Sequence, residues 1–200
     1  MGSNSKIEKS KLMKSIFKFI LFINLFFNSS IIFSAASEYY HKNKLEKFFI
    51  DLKNSKNLNE AIVVEKNIWS LWNLHPKNQF LTNKLELGTE LMENGQHNYA
   101  YKIFSNIIYE DPNWSEAWNK RATVLFLMKE YDLSLDDIKK TLELEPRHFG
   151  ALTGRAQIYI DLMEYQKALD NLILTKEIYP FSRGVNIIPK LEKILNIEEI

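Results

Sequence analysis

SEAWNKRATVLFLMKEYDLSLDDIKKTLELEPRH, residues 115–148, is the stretch that decides the fold. Trp118, Ala122, Leu125 and Phe126 recur at i, i+4, i+7 and i+8, which is one stripe of a helix. Leu135, Ile138 and Leu142 recur at i, i+3 and i+7 and predict a second helix, with Asp136, Asp137, Lys139 and Lys140 turned elsewhere. Between the two, LMKEYD supplies a turn. Pro146 ends the second helix, because proline lacks an N–H and its ring clashes with the carbonyl four residues back. The residue before it is pushed toward extended geometry. The stretch therefore reads as a helical hairpin that closes on a proline.

Working outward, the hairpin recurs. Pro112, Pro146 and Pro180 stand thirty-four residues apart, and windows 81–114 and 149–182 lie over 115–148 in phase. The eighth place reads Gly88, Ala122, Ala156; the twentieth reads Ala100, Ser134, Ala168; the twenty-fourth reads Phe104, Ile138, Leu172. Small residues at the eighth and twentieth places let paired backbones approach, and a larger side chain at either would cost ~1–3 kcal/mol. The first window's turn, MENGQHN, carries Gly95, suited to the left-handed conformation that ends many helices. In YEDPNWSEAW, Asp111-Pro112 closes one hairpin. Ser115 is the expected N-cap of the next, Trp118 its core residue, and Trp114 an inter-repeat or surface contact.

This pattern resembles the tetratricopeptide repeat family over 81–182. The family favours a large residue fourth, leucine seventh, a small residue eighth, tyrosine eleventh, alanine twentieth, a large apolar residue twenty-fourth, alanine twenty-seventh and proline thirty-second. Trp118 fills the fourth place and Tyr159 the eleventh, while the three prolines fill the thirty-second. Departures are Lys84 at the fourth, Arg121 and Arg155 at the seventh, and Ile107, Thr141 and Thr175 at the twenty-seventh. EPRHFGAL after a WNKRA helix is also similar to a group of exported bacterial repeat proteins. The resemblance implies an all-α, right-handed solenoid of three hairpins, 81–114, 115–148 and 149–182. Such units close their core only by stacking, and terminal units need atypical caps. The expected caps are a helical hairpin over 37–80 and a short helix from Pro189 to Leu195 within 183–200, led in by irregular Ser182 to Asn186.

Two hundred residues, 46% hydrophobic and 26% charged, fit one globular domain plus an N-terminal extra. A net charge of +1 argues against a nucleic-acid partner. Five lysines from Lys6 to Lys18 stand against one acid, Glu8, around the start of the apolar IFKFILFINLFF, and NSSIIFSAAS follows with small residues, which is the order of a secretory signal. Residues 1–36 are thus an expected signal peptide cut before Ser37, whichever of Met1 or Met13 starts the chain, and the destination is periplasmic or exported. Its removal leaves a formal net charge of −3. The alternative is retention as an inner-membrane anchor, although Lys18, Asn24 and Asn28 interrupt a run shorter than the roughly 20 residues a spanning helix needs. A membrane partner follows only in that case. MGSNSK has Lys6 where a myristoylation signal needs Ser or Thr.

Catalytic patterns are missing. There is no cysteine, and His41, His75, His97 and His148 form no metal-binding pair, so no metal or cofactor is expected. No nucleophile elbow, P-loop or dinucleotide fingerprint appears. Asp136-Asp137 and Glu143/Glu145 read as a solvated helix face rather than acid–base pairs. Arg121 and Arg155 coincide with acids at the twenty-second place, Asp136 and Asp170, where the first window has Leu87 and Lys102, so each arginine is expected to bond its own aspartate. The alternative use of both arginines is to grip an anionic partner.

In the resembled family the second, fifth, ninth and twelfth places of each first helix line a concave groove. Carried over, these are Leu85, Thr89 and Met92; Glu116, Asn119, Thr123 and Phe126; Thr153, Gln157 and Ile160. The fifth places Leu85, Asn119 and Thr153 lack the Lys/Asn arrangement that clamps a C-terminal carboxylate. An extended or helical polypeptide, held by Met92, Phe126 and Ile160 and by the amides of Asn119 and Gln157, is the expected ligand. The reading is a non-enzymatic protein-binding adaptor or assembly helper of a bacterial cell envelope. The other possibilities are an inner-membrane-anchored recruiter that keeps its N-terminal segment, and a structural subunit whose groove is filled by its own flanking helices or by a second copy.

Overall fold

A computed structural model describes residues 37–198. The chain divides into two compact units, Met1–Asn43 and Lys44–Ile200. Residues 37–43 of the first are helical, and the expected signal segment lies outside the described residues. The second unit is all-helical among its described residues. It begins with α1 (44–53) and α2 (Leu58–Trp72), and then come three hairpins: α3 (Gln79–Glu93) with α4 (His97–Glu110), α5 (Ser115–Leu127) with α6 (Tyr131–Leu144), and α7 (Phe149–Asp161) with α8 (Tyr165–Ile178). A 3-10 turn at Arg183–Ile187 leads into α9 (Ile188–Glu198). This last helix is longer than expected, and Pro189 sits in its first turn, where its missing N–H costs nothing.

The hairpins stack in chain order, α4 on α5 and α6 on α7, with α9 packed on α8. Their shared interior is a series of overlapping apolar clusters. Leu81, Leu85, Phe104 and Ile107 meet Ala117 and Val124; Ala122 and Ile138 meet Ala151 and Ile158; Ala156, Ala168 and Leu172 meet Ile188 and Leu191. Close approach needs the small residues. A methyl on Gly88 would fall 2.6 Å from the Phe104 ring, and the Ser134 hydroxyl donates at 2.8 Å to the Ala122 carbonyl across the second hairpin. Thr141 and Thr175, standing where alanine is usual, are fully buried and give their hydroxyl protons to the carbonyls of Asp137 and Asn171.

Every hairpin turn is built alike. Gly95, Lys129 and Met163, thirty-four residues apart, all take positive φ (74°, 64° and 59°). The following N–H of Gln96, Glu130 or Glu164 reaches back to Leu91, Leu125 or Tyr159 at 2.8–2.9 Å, the Schellman closure of a helix end. Two expectations at the first joint need correction. Ser115 is the first residue of α5 rather than its cap; Trp114 holds the N-cap position without a side-chain bond. It is also Trp114 that is buried, its indole N–H donating at 2.9 Å to the Trp72 carbonyl. Trp118 is half-buried and donates to the Pro112 carbonyl at 2.9 Å.

The N-terminal hairpin does something a simple end cap would not. Pro76 precedes Pro112 by thirty-six residues, two more than the repeat period, and α2 makes no extended contact with α3. Instead α2 runs back along the three joints. His75 meets Asp111 and Trp114 at the first; Trp72 and Trp69 meet His148 and Phe149 at the second; the Tyr179 hydroxyl donates to Glu65 at 2.9 Å at the third. Leu45, Phe49 and Leu52 of α1 back this row, and Arg147 lies 4.1 Å over the Phe49 ring while bonding Glu46 at 2.6 Å. Burial of side chains this large contributes ~1.5–3 kcal/mol apiece. The hairpin is therefore part of the core.

Candidate functional site

The groove-lining places fall into two groups. Those near the joints are buried: Leu85 is 1% exposed, Glu116 0% and Asn119 7%. At Gly150, the second place of the third hairpin, an added methyl would lie 2.5 Å from Trp69, so only glycine admits α2, the strap across the joints, there. Thr153 is half-buried, with Gly184 of the 3-10 turn against its methyl.

The ninth and twelfth places remain open. Thr89, Met92, Thr123, Phe126 and Ile160 are half-buried and Gln157 is exposed. The hydroxyls of Thr89 and Thr123 are spent on the carbonyls of Leu85 and Asn119 at 2.8 and 2.9 Å. Phe126 stacks on Tyr131 with ring centres 5.9 Å apart, and Gln157 donates to Asp161 at 2.8 Å.

Two cavities result. A cleft of ≈ 530 Å³ lies between α2 and α3, walled by Ser70, Asn73 and Leu74 on one side and by Leu85, Glu86, Thr89, Glu90 and Glu93 on the other, with Lys120 at its edge. A crevice of ≈ 90 Å³ brings Asn119, Thr123 and Phe126 together between the second and third hairpins. Met92, Thr153, Gln157 and Ile160 line neither cavity. The proposed amide ligand Asn119 is turned inward, its N–H group 3.3 and 3.4 Å from the two Glu116 oxygens.

Beneath the strap sits a buried acid–base pair. His148 accepts the Ala151 N–H on Nδ1 at 3.1 Å and so caps α7, which leaves the ring proton on Nε2 to be donated to Glu116 at 2.9 Å. Lys120 stands 3.5 Å from the other Glu116 oxygen. The Trp72 ring lies 3.9 Å above the imidazole and nearly parallel to it. His75 repeats the device at the first joint, accepting from Lys77 N–H on Nδ1 at 3.2 Å and meeting Asp111 through Nε2 at 2.8 Å. Neither His148 nor Glu116 has any exposed surface, so no substrate reaches the pair; its chemistry is to give a buried carboxylate a hydrogen-bond donor and to hold α2 in place through the stacked Trp72. Among the described residues no cluster of His, Asp and Glu could hold a metal ion. Sequence reading had passed over both histidines, although each lies within two residues of a joint proline.

The arginine expectation is corrected by one residue. Arg121 grips Asp137, not Asp136, through Nε and Nη2, both at 2.7 Å. Arg155 donates to Asn171 at 2.5 Å, while Asp170 accepts from Gln166. Asp137 is thus buried under the guanidinium instead of solvated. Its hydrogen bond holds Arg121 more firmly protonated than usual, and burial lowers Arg155. Arg121 also donates to Ser105 at 3.1 Å and lies over Trp118 and Tyr101, so three of its five N–H donors are used within the chain.

No protein-family model matches the chain. It is similar to a TPR repeat-containing protein of Rhizobium etli, 30% identical over 142 residues that make up 71% of this chain and 69% of the relative. Among solved structures it is similar to the type III secretion chaperone SycD of Yersinia enterocolitica in complex with a peptide of the translocator YopD (15% identity, 62% of this chain, 97% of that one, TM-score 0.56). It is also similar to the first TPR of Spaghetti (RPAP3) bound to the HSP90 peptide SRMEEVD (18% identity, 59% and 94%, TM-score 0.56). Both likenesses are of fold.

Proposed function

The chain belongs to the tetratricopeptide-repeat proteins, and from that premise we propose that it is a non-enzymatic interaction module holding a polypeptide segment in the open part of its concave groove. The observation that carries this reading is the ≈ 530 Å³ cleft at Leu85 and Thr89, large enough for several side chains and open to solvent along α3. Support comes from the peptide-bound states of SycD and of the RPAP3 repeat domain. The groove of this chain, narrowed by α2, admits a shorter segment than its length alone would allow. The cellular role we assign is that of an adaptor or assembly helper in a bacterial cell envelope. It rests on the signal-like order of residues 1–36, which lies outside the described residues. Among the described residues no helix is long and apolar enough to cross a membrane. The mass of the exported protein separates a cleaved signal from a retained anchor.

A second reading, the structural subunit with a self-filled groove, is favoured by the burial of Glu116 beneath His148, on which Trp72 of α2 stacks. A photo-crosslinking residue placed at Thr89 in cells distinguishes the two, with Tyr109, 90% exposed and outside both cavities, as the control. An adduct to another polypeptide from Thr89 and none from Tyr109 supports the interaction module. Crosslinks from Thr89 to α2 alone favour the structural subunit.

A further inference from the structure

We propose that the cleft between α2 and α3 recognises a cationic stretch of polypeptide, with a Lys or Arg side chain entering between the carboxylates of α3 while a neighbouring apolar side chain rests on Leu74. This rests on the interaction-module reading and adds the chemistry of the partner.

Three observations lead to it. Glu86, Glu90 and Glu93 succeed one another at i, i+4 and i+7, so one face of α3 presents all three to the cleft. None of the three carboxylates has a hydrogen bond or ion pair among the described residues, and like charges at this spacing repel one another until a cation enters. Second, the one cation on the lining among the described residues is already engaged: Lys120 stands 3.5 Å from the fully buried Glu116 and balances a charge that solvent cannot reach. The cleft therefore keeps an uncompensated negative field focused between low-dielectric walls. Third, these carboxylates do not converge as a metal site does, since no metal-holding group of His, Asp and Glu exists among the described residues. A long flexible ammonium or guanidinium side chain satisfies such a row where a compact ion does not.

The opposite wall fits a polypeptide rather than a small cation. Ser70 and Asn73 of α2 face the cleft with polar groups that no side-chain bond in the described chain uses, and Leu74, 41% exposed, adjoins them. Backbone amides can bond the first two and an apolar side chain can cover the third. An acidic tail such as SRMEEVD, bound by the RPAP3 repeat domain, meets the wrong sign of charge here.

The test uses the full chain and three end-blocked, fluorescently labelled peptides: alternating lysine and leucine, alternating glutamate and leucine, and SRMEEVD. Fluorescence anisotropy is read at low and at raised salt. The expected result is saturable binding of the lysine peptide, weakened by salt and weakened about tenfold or more in a Glu86→Gln, Glu90→Gln, Glu93→Gln triple variant. A matched variant neutralising the exposed Asp132, Asp136 and Glu143 on α6 should bind as the wild type does. All six positions are exposed, and matching thermal melts certify that folding is unchanged. Equal losses in both triple variants overturn the proposal, because attraction is then a property of net charge. Preference for either acidic peptide overturns it while leaving the interaction module standing. Failure of all three peptides to bind overturns both.

Discussion

Glu116 is the residue on which the strap turns. A carboxylate with no exposed surface survives only if its charge is met, and here the Nε2–H of His148, the Asn119 amide and Lys120 meet it. Removing the partner is therefore worse than removing the charge. His148→Ala should destabilise the fold by ~3–5 kcal/mol, and Glu116→Gln, which keeps an acceptor for the histidine, by only ~1–3 kcal/mol; urea unfolding followed by tryptophan fluorescence gives both values. A reversed order would mean that the pair is not buried as described. Tyr179 offers a second check. Burial, and then its bond to Glu65, raises the phenol above its ordinary value of 10.0. The folded state thus prefers the neutral phenol, so its contribution is complete below the free value and fades as pH rises through the higher folded one. Stability measured from about pH 9 upward should fall more steeply in wild type than in Tyr179→Phe, which cannot ionise. Residue pairing was only partly legible in the sequence. Adjacent helical residues point about 100° apart, so Arg121 can face only one of Asp136 and Asp137; the column that covaried with arginine was the neighbour of the one that touches it.

At the level of helices and turns, periodicity carried nearly everything in 81–182. Apolar stripes, small residues at the eighth and twentieth places and three prolines located every hairpin, since each reports a constraint on backbone approach or on helix continuation. The turns show where that signal stops. Gly95 announces a left-handed residue, whereas Lys129 and Met163 hold the same geometry by force of the flanking helices and so carry no local mark. Both are exposed, and a side chain in this conformation is strained. Lys129→Gly and Met163→Gly should each stabilise the protein by about 0.5–1 kcal/mol, seen as a raised Tm, whereas Gly95→Ala should lose a similar amount or more. No change in any of the three would contradict the Schellman closure of these turns.

For the whole molecule, the N-terminal hairpin separates what sequence could foresee from what it could not. A helical hairpin over 37–80 was expected, and Ala61, Val64, Ile68, Leu71 and Trp72 fall on the side it buries. Its destination was not, because His148 and Phe149, against which the rings of Trp69 and Trp72 pack, lie seventy or more residues away and no local rule selects them. The consequence reaches the candidate site: α2 packs over the second joint at His148 and Gly150 and walls the remaining cleft. Gly150→Ala, whose methyl would press on Trp69 at 2.5 Å, should loosen α2 selectively while the three hairpins keep their protection. The most direct measurement is native-state amide hydrogen exchange of the unmodified full chain, read at Ile68–Trp72 against α5 and α7. If α2 is part of the groove wall, those amides exchange as slowly as the α5 and α7 cores, through global unfolding alone. Fast exchange in α2 beside protected α5 and α7 would contradict it, and the groove would then be the open one of a bare repeat stack.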